Sequence, residues 1–171
     1  DFCLSRGLGD VYKRQEQNLR GVLQSAAVIG RLFRRRLLEY TTAQTTELER
    51  ALWELEDHQL IYQERSVPEE EYSFKHVLTQ ETIYQSILRR RRTGFHQKVA
   101  EAIEALYPEG LEEYYEQLAY HYERSGADEK AIEYLLKAGE KARRSYLNDE
   151  AIGYFQRALE RLDRSSLAAS H

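Results

Sequence analysis

The side chains of this chain most able to do chemistry are five histidines, two arginine runs and a dense group of tyrosines. His58, His76, His96, His121 and His171 show no H-E-x-x-H or other metal-ligand spacing. The serines and Cys3 lack the glycine-flanked elbow that exposes a nucleophile. Gly7 and Gly9 suggest a phosphate loop, but no Gly-Lys-Ser/Thr follows them, so the lysine and hydroxyl that would hold phosphate and Mg are missing. Carboxylates are plentiful, yet they fall in polar helical stretches, where they solvate a face. The expectation is a non-catalytic segment, with no catalytic residue, no metal ligand and no cofactor of its own.

Arg89-Arg90-Arg91-Arg92 is the sharpest basic cluster, with Arg34-Arg35-Arg36 second. Either could clamp nucleotide phosphates or an acidic partner face. The alternative for 89–92 is a helix end, where cations near a C-terminus favour the macrodipole. Eight of the thirteen tyrosines lie between Tyr107 and Tyr154, so aromatic packing or a contact surface is expected there.

A chain of 171 residues with 42% hydrophobic and 32% charged residues suits one soluble domain or two small ones. A net charge of −4 supplies no global field to recruit nucleic acid or acidic lipid. No stretch reaches the roughly 20 apolar residues of a membrane span, and one cysteine excludes a disulfide framework. A cytoplasmic setting without membrane contact is expected. The chain opens on Asp1 and holds no Met, which predicts a fragment. Cys3 to Gln15 resembles translated sequencing-adapter read-through, so residues 1–15 are expected to be disordered and to play no functional part.

The elements that would position these side chains follow from hydrophobic period. Leu19, Val22, Leu23 and Ala26 mark a helix over Asn18 to Ile29, ended by Gly30. Phe33, Leu37 and Leu38 mark a short second helix with its arginines towards solvent. Thr46-x-x-Glu49 reads as a capping box, starting a third helix with Leu48, Ala51, Leu52 and Leu55 inward. Ile61 to Arg65 and Glu71 to Lys75 read as two strands of a hairpin. Leu78, Ile83, Tyr84, Ile87 and Leu88 form one later helical face, and Phe95, Val99, Ala102, Ile103 and Leu106 another. Helices over 111–125, 128–144 and 148–163 complete the chain, with Asp128 and Asn148 as N-caps. The fold class is mainly α: a winged helix with one small β-hairpin, then a helical array. The domains are 16–76 (winged helix), 77–110 (linking helices), 111–164 (repeats) and 165–171 (a frayed tail).

Ala131-Ile132-Glu133-Tyr134-Leu135-Leu136-Lys137-Ala138 recurs twenty residues on as Ala151-Ile152-Gly153-Tyr154-Phe155-Gln156-Arg157-Ala158. Such units cannot bury their apolar faces alone and stack on neighbours. Leu118-Ala119-x-x-Tyr122-x-x-x-Gly126-x-x-x-x-Ala131-x-x-x-Leu135-x-x-Ala138 resembles the tetratricopeptide pattern. The second copy departs from it, with Ala142 where a Tyr is usual and a period of twenty, not thirty-four. The resemblance implies that Tyr120, Glu123 and Arg124 line a concave groove and contact a protein or peptide ligand.

The front half carries a second resemblance. Ala26-Ala27-Val28-Ile29-Gly30-Arg31-x-Phe33, Leu48-x-x-Ala51-Leu52-x-x-Leu55 and Tyr72-x-Phe74-x-His76-x-Leu78 are similar to the winged-helix region downstream of STAND-type AAA ATPase modules. In bacteria these are fused to class III adenylate/guanylate cyclases, kinases or LuxR-type regulators. The resemblance implies that His76 senses the phosphate of ADP bound to an upstream NTPase domain of the same chain, in a parent using ATP/ADP with Mg. The alternative is that His76 caps the next helix or packs beside Phe74. A stand-alone peptide-binding adaptor and a DNA-binding transcription regulator are the other readings. DNA is not expected as a partner: the third helix carries Glu47, Glu49, Glu54, Glu56 and Asp57 against Arg50 alone, a surface that repels phosphates.

Overall fold

A computed structural model describes residues 2–42 and 47–169, with the side chains of 16–42 and 47–164. It is mainly helical, with a small three-stranded antiparallel sheet, and divides into two compact units, Asp1–Leu88 and Arg89–His171. The boundary falls inside the segment expected to link two domains.

In the first unit the order is α1 (Phe2–Ile29), β1 (Leu32–Arg34), α2 (Arg35–Thr42), α3 (Leu48–Asp57), β2 (Ile61–Arg65), β3 (Glu71–Phe74) and α4 (Val77–Ser86). Helix α1 begins at Phe2, so the segment expected to be disordered has helical backbone continuous with the rest. Gly30 ends α1 at φ +144, a conformation that side-chain-bearing residues rarely adopt, and its N–H closes on the Ala26 carbonyl at 3.1 Å. The sheet has the order β1-β3-β2, so the expected hairpin is joined by a third strand. Phe33 therefore lies in β1, opposite Tyr72, and not in the short helix that its apolar spacing suggested. The reason is burial: in the strand its ring is 5.7 Å from Phe74 and 5.9 Å from Tyr72, at the centre of the core.

The inward positions of α3 stand as expected, with Leu48, Ala51, Leu52 and Leu55 buried. They meet Val22 and Ala26 of α1, Leu38 of α2, and Ile61 and Phe74 of the sheet. Thr46, which opens the expected capping box, lies outside the described residues. On α4 the expected face holds in part: Ile83 and Tyr84 pack on the core and Ile87 is buried, but Leu78 and Leu88 are exposed.

In the second unit α5 (Arg89–Leu106) is followed by a 3-10 helix (Pro108–Tyr114), α6 (Tyr115–Ser125), α7 (Asp128–Arg144) and α8 (Asn148–Ala169). Each helix packs on the next, α5 on α6, α6 on α7 and α7 on α8. Ala100, Ala102, Ala119, Ala131, Ala138, Ala142, Ala151 and Ala158 are buried, so small residues let the helices approach. Gly126, at φ +79, ends α6 in the left-handed conformation that favours glycine. Asp128 is the first residue of α7, not its N-cap, which is Ala127. Helix α8 runs on to Ala169, through most of the expected tail. Helical structure from Pro108 to Tyr114 is 3-10, since Pro108 sits in its first turn and Gly110 leaves helical geometry.

Candidate functional site

Helix α6 presents Tyr120, Glu123 and Arg124 to one side of the second unit, and α8 brings Arg157 and Arg161 opposite them. Together they line an open cleft of about 550 Å³. Tyr120, Glu123 and Arg124 recur at i, i+3 and i+4, the spacing that places residues together on a helix. Arg157 and Arg161 do the same on α8.

Glu123 anchors the two helices. Arg157 Nε donates to Glu123 Oε1 at 3.2 Å and its Nη2 donates to Oε2, a two-pronged pair. Arg161 Nη2 donates to the Glu123 carbonyl at 2.8 Å, and its Nη1 donates to the carboxylate of Asp128. Arg124 is arranged differently. Its guanidinium carbon lies 3.7 Å from the centre of the Tyr120 ring, and Nη1 donates to the Tyr120 carbonyl at 3.3 Å. Among the described residues it has no carboxylate partner, and it is exposed. The lining thus sets three guanidinium groups against the single carboxylate of Glu123. Chemically this can hold an anionic group beside an aromatic face.

Behind Tyr120 lies a buried pair. His96 on α5 and His121 on α6 meet Nδ1 to Nδ1 at 2.9 Å, and both are buried. The His96 ring stands edge-on to Tyr120 at 5.7 Å. Burial drives His96 down to about 4, helped by repulsion from Arg124 and Arg92. Burial likewise drives His121 down to about 3, followed by its neighbours His96 and Arg124. Both imidazoles are therefore neutral at pH 7, one donating and the other accepting.

A second polar knot stiffens the same unit. The Glu104 carboxylate accepts from Tyr122 Oη at 2.7 Å, Lys130 Nζ at 3.0 Å and Tyr134 Oη at 2.5 Å. The rings of Tyr122 and Tyr134 stack at 5.5 Å. Burial pushes the carboxyl up, but these hydrogen bonds outweigh it and hold Glu104 below the usual range. The signature tyrosines are structural here.

His76 lies elsewhere, in the first unit, at the residue preceding α4. Its backbone carbonyl accepts from the N–H of Thr79 at 3.0 Å, while its exposed imidazole makes no capping hydrogen bond. The capping alternative for its side chain is thus set aside. Arg34 and Arg35 are neutralised by the start of β3 and the residue before it: Arg34 pairs with Glu71 at 3.1 Å and Arg35 with Glu70 at 2.9 Å. Arg89 to Arg92 form the first turn of α5, not a helix C-terminus, so they oppose the macrodipole.

Sequence reasoning missed Arg157, Arg161 and the histidine pair. The i, i+4 spacing of the two arginines was the available signal; His96 and His121 are 25 residues apart and gave none.

No protein-family model matches the chain, and no solved structure matches it. Over 91 residues, 52% of its length, it is 32% identical to an uncharacterized protein of Rhizobium meliloti (strain 1021). The chain spans only 9% of that protein. No helix among the described residues is long and apolar enough to cross a membrane.

Proposed function

We propose that this chain is a non-catalytic regulatory and protein-interaction segment of a larger, cytoplasmic signal-transduction ATPase. In this reading the second unit is a tetratricopeptide-like array that holds an acidic peptide segment of a partner or inducer. The observation that carries it is the cleft of Tyr120, Arg124, Arg157 and Arg161, where one guanidinium is left without a carboxylate. An aromatic platform beside such a group suits a carboxylate-bearing ligand, since charge-assisted hydrogen bonds gain strength and direction from the fork of arginine.

The first unit, with four helices and a three-stranded sheet, is read as a winged helix, α1 to α3 with the sheet, that packs on an NTPase domain of the parent. His76 would there donate to the phosphate of ADP; its exposed imidazole fits the role. Partner binding would shift the parent between closed and open states only if its affinity differs between them. DNA reading is disfavoured, because Glu47, Glu49 and Asp57 of the α3 segment are exposed beside an exposed Trp53.

The test is calorimetric titration of the chain with a synthetic glutamate-rich peptide and its glutamine counterpart. Only the acidic peptide should bind, and Arg124→Ala should weaken it about tenfold or more, the usual worth of a hydrogen bond to a charged group. Equal binding of both peptides, or an indifferent Arg124→Ala, overturns the cleft reading. His76→Leu in the full parent should raise basal activity; unchanged activity and ADP retention refute the sensor role.

A further inference from the structure

Helix α3 turns Leu48, Ala51, Leu52 and Leu55 into the core, and on its opposite side it leaves Trp53 65% exposed. This is the single tryptophan of the chain. Glu49 and Asp57 stand four residues before and after it, so the three share one helical stripe, each about 6 Å along the axis from the next. The carboxylates of the α3 segment divide into two groups. Glu47 accepts from the Asn18 amide, Glu54 from Arg50 Nε at 3.0 Å, and Glu56 from the backbone N–H of Gln63 at 3.1 Å. Glu49 and Asp57, the two that flank the indole, are exposed and have no hydrogen-bond or ion-pair partner among the described residues.

Two properties of this face select a cationic occupant. An indole left in water forgoes the burial that makes tryptophan a frequent interface anchor. Glu56 and Asp57 close α3, where the carbonyl end of the helix is itself negative, and no basic residue stands in that last turn. A cation over the indole is attracted by the ring face and by a free carboxylate on either side. Two turns separate these carboxylates with the indole between them, so the stripe suits a row of cationic groups and not a single ion. Cationic side chains about 6–7 Å apart, as alternate residues of an extended segment present them, match that spacing. A second copy of the chain is a poor occupant, since a net charge of −4 sets the copies against each other.

We infer that the outer face of α3 binds a basic segment of a partner protein, with one Arg or Lys side chain over the Trp53 indole and its neighbours paired to Glu49 and Asp57. This surface belongs to the first unit and the arginine cleft to the second, and the inference holds whatever that cleft binds.

The probe is a synthetic peptide of alternating arginine and serine, titrated into the full chain and followed by Trp53 emission and by calorimetry. A saturable change in emission is expected, absent with a peptide whose arginines are replaced by glutamine. Glu49→Gln/Asp57→Asn should weaken binding about fivefold, because each exposed ion pair contributes modestly. Trp53→Ala, followed by calorimetry, should weaken it about tenfold or more. Glu109→Gln/Glu113→Gln removes two exposed carboxylates of the second unit, changes the net charge equally and should leave the affinity as it was. Equal weakening by the two charge pairs overturns the inference, because the peptide would then respond to net charge alone. So does an unaltered emission, binding indifferent to Glu49→Gln/Asp57→Asn or to Trp53→Ala, or a chain that self-associates through this face without peptide, with the 89–92 arginines of a second copy as the occupant.

Discussion

Mild acid should destabilise the second unit through His96 and His121. In the unfolded chain each imidazole titrates near 6.5. Folded, burial holds them at about 4 and about 3. Between these values the unfolded state binds more protons than the folded one, so stability rises with pH through the window from about 4 to 6.5. Taking the chain from pH 7.5 to pH 5.0 leaves the folded pair largely neutral while the unfolded imidazoles become charged. The loss is about 2 kcal/mol per histidine, or about 4 for the pair. One proton added to the folded pair would leave the Nδ1–Nδ1 bond possible but set a cation beside Arg124 and Arg92. Urea unfolding followed by far-UV circular dichroism at pH 7.5, 6.0 and 5.0 measures the loss. Trp53, the single tryptophan, lies in the first unit, so its fluorescence isolates that unit as an internal reference. The variant His96→Leu/His121→Leu should lose most of this pH dependence. The reasoning fails if parent and variant lose the same stability, or if either imidazole titrates near 6.5 in the folded chain.

Two further outcomes test the packing of the second unit. Glu104→Gln leaves two tyrosine hydroxyls and Lys130 facing a neutral amide; a loss of about 1–3 kcal/mol is expected in urea unfolding at pH 7. Because its hydrogen bonds hold Glu104 low, that contribution is present at neutral pH and fades as pH falls through the folded value. Gly139→Leu drives a side chain into the Phe155 ring and should cost about 1–3 kcal/mol, with Phe155→Ala restoring part of it by making room. A neutral Gly139→Leu would mean that α8 does not sit on α7 as described.

The elements that sequence reading located are those whose pattern is local. Leu48, Ala51, Leu52 and Leu55 of α3 repeat at helical spacing and are buried as that spacing requires. Strand β1 has only three residues, too few to show a period, and Phe33 happens to sit four residues before Leu37, so the pattern suggested a helix. What decides the matter is non-local: β3 pairs with β1 along its whole length and Phe33 fills the space between Tyr72 and Phe74. The arginine run at 89–92 misled for the same kind of reason. A basic cluster names a helix end without saying which one, and here it opens α5.

The cleft divides along the same line. Tyr120, Glu123 and Arg124 share one helix face and were found through the repeat register, whereas Arg157 enters only because Glu123, 34 residues earlier, draws it across to α6. Glu123 already occupies two of the three guanidinium groups, so on the proposed reading an incoming carboxylate would meet Arg124 first and compete with Glu123 for the others. Arg124→Ala should therefore reduce affinity more than Arg157→Ala, whose loss also frees the Glu123 carboxylate to repel the ligand only in part, since Arg161 remains 3.5 Å from it. Calorimetry on the two single variants and their double decides this: equal losses that add in the double would show three independent arginines, not one free guanidinium backed by an ion-paired rim.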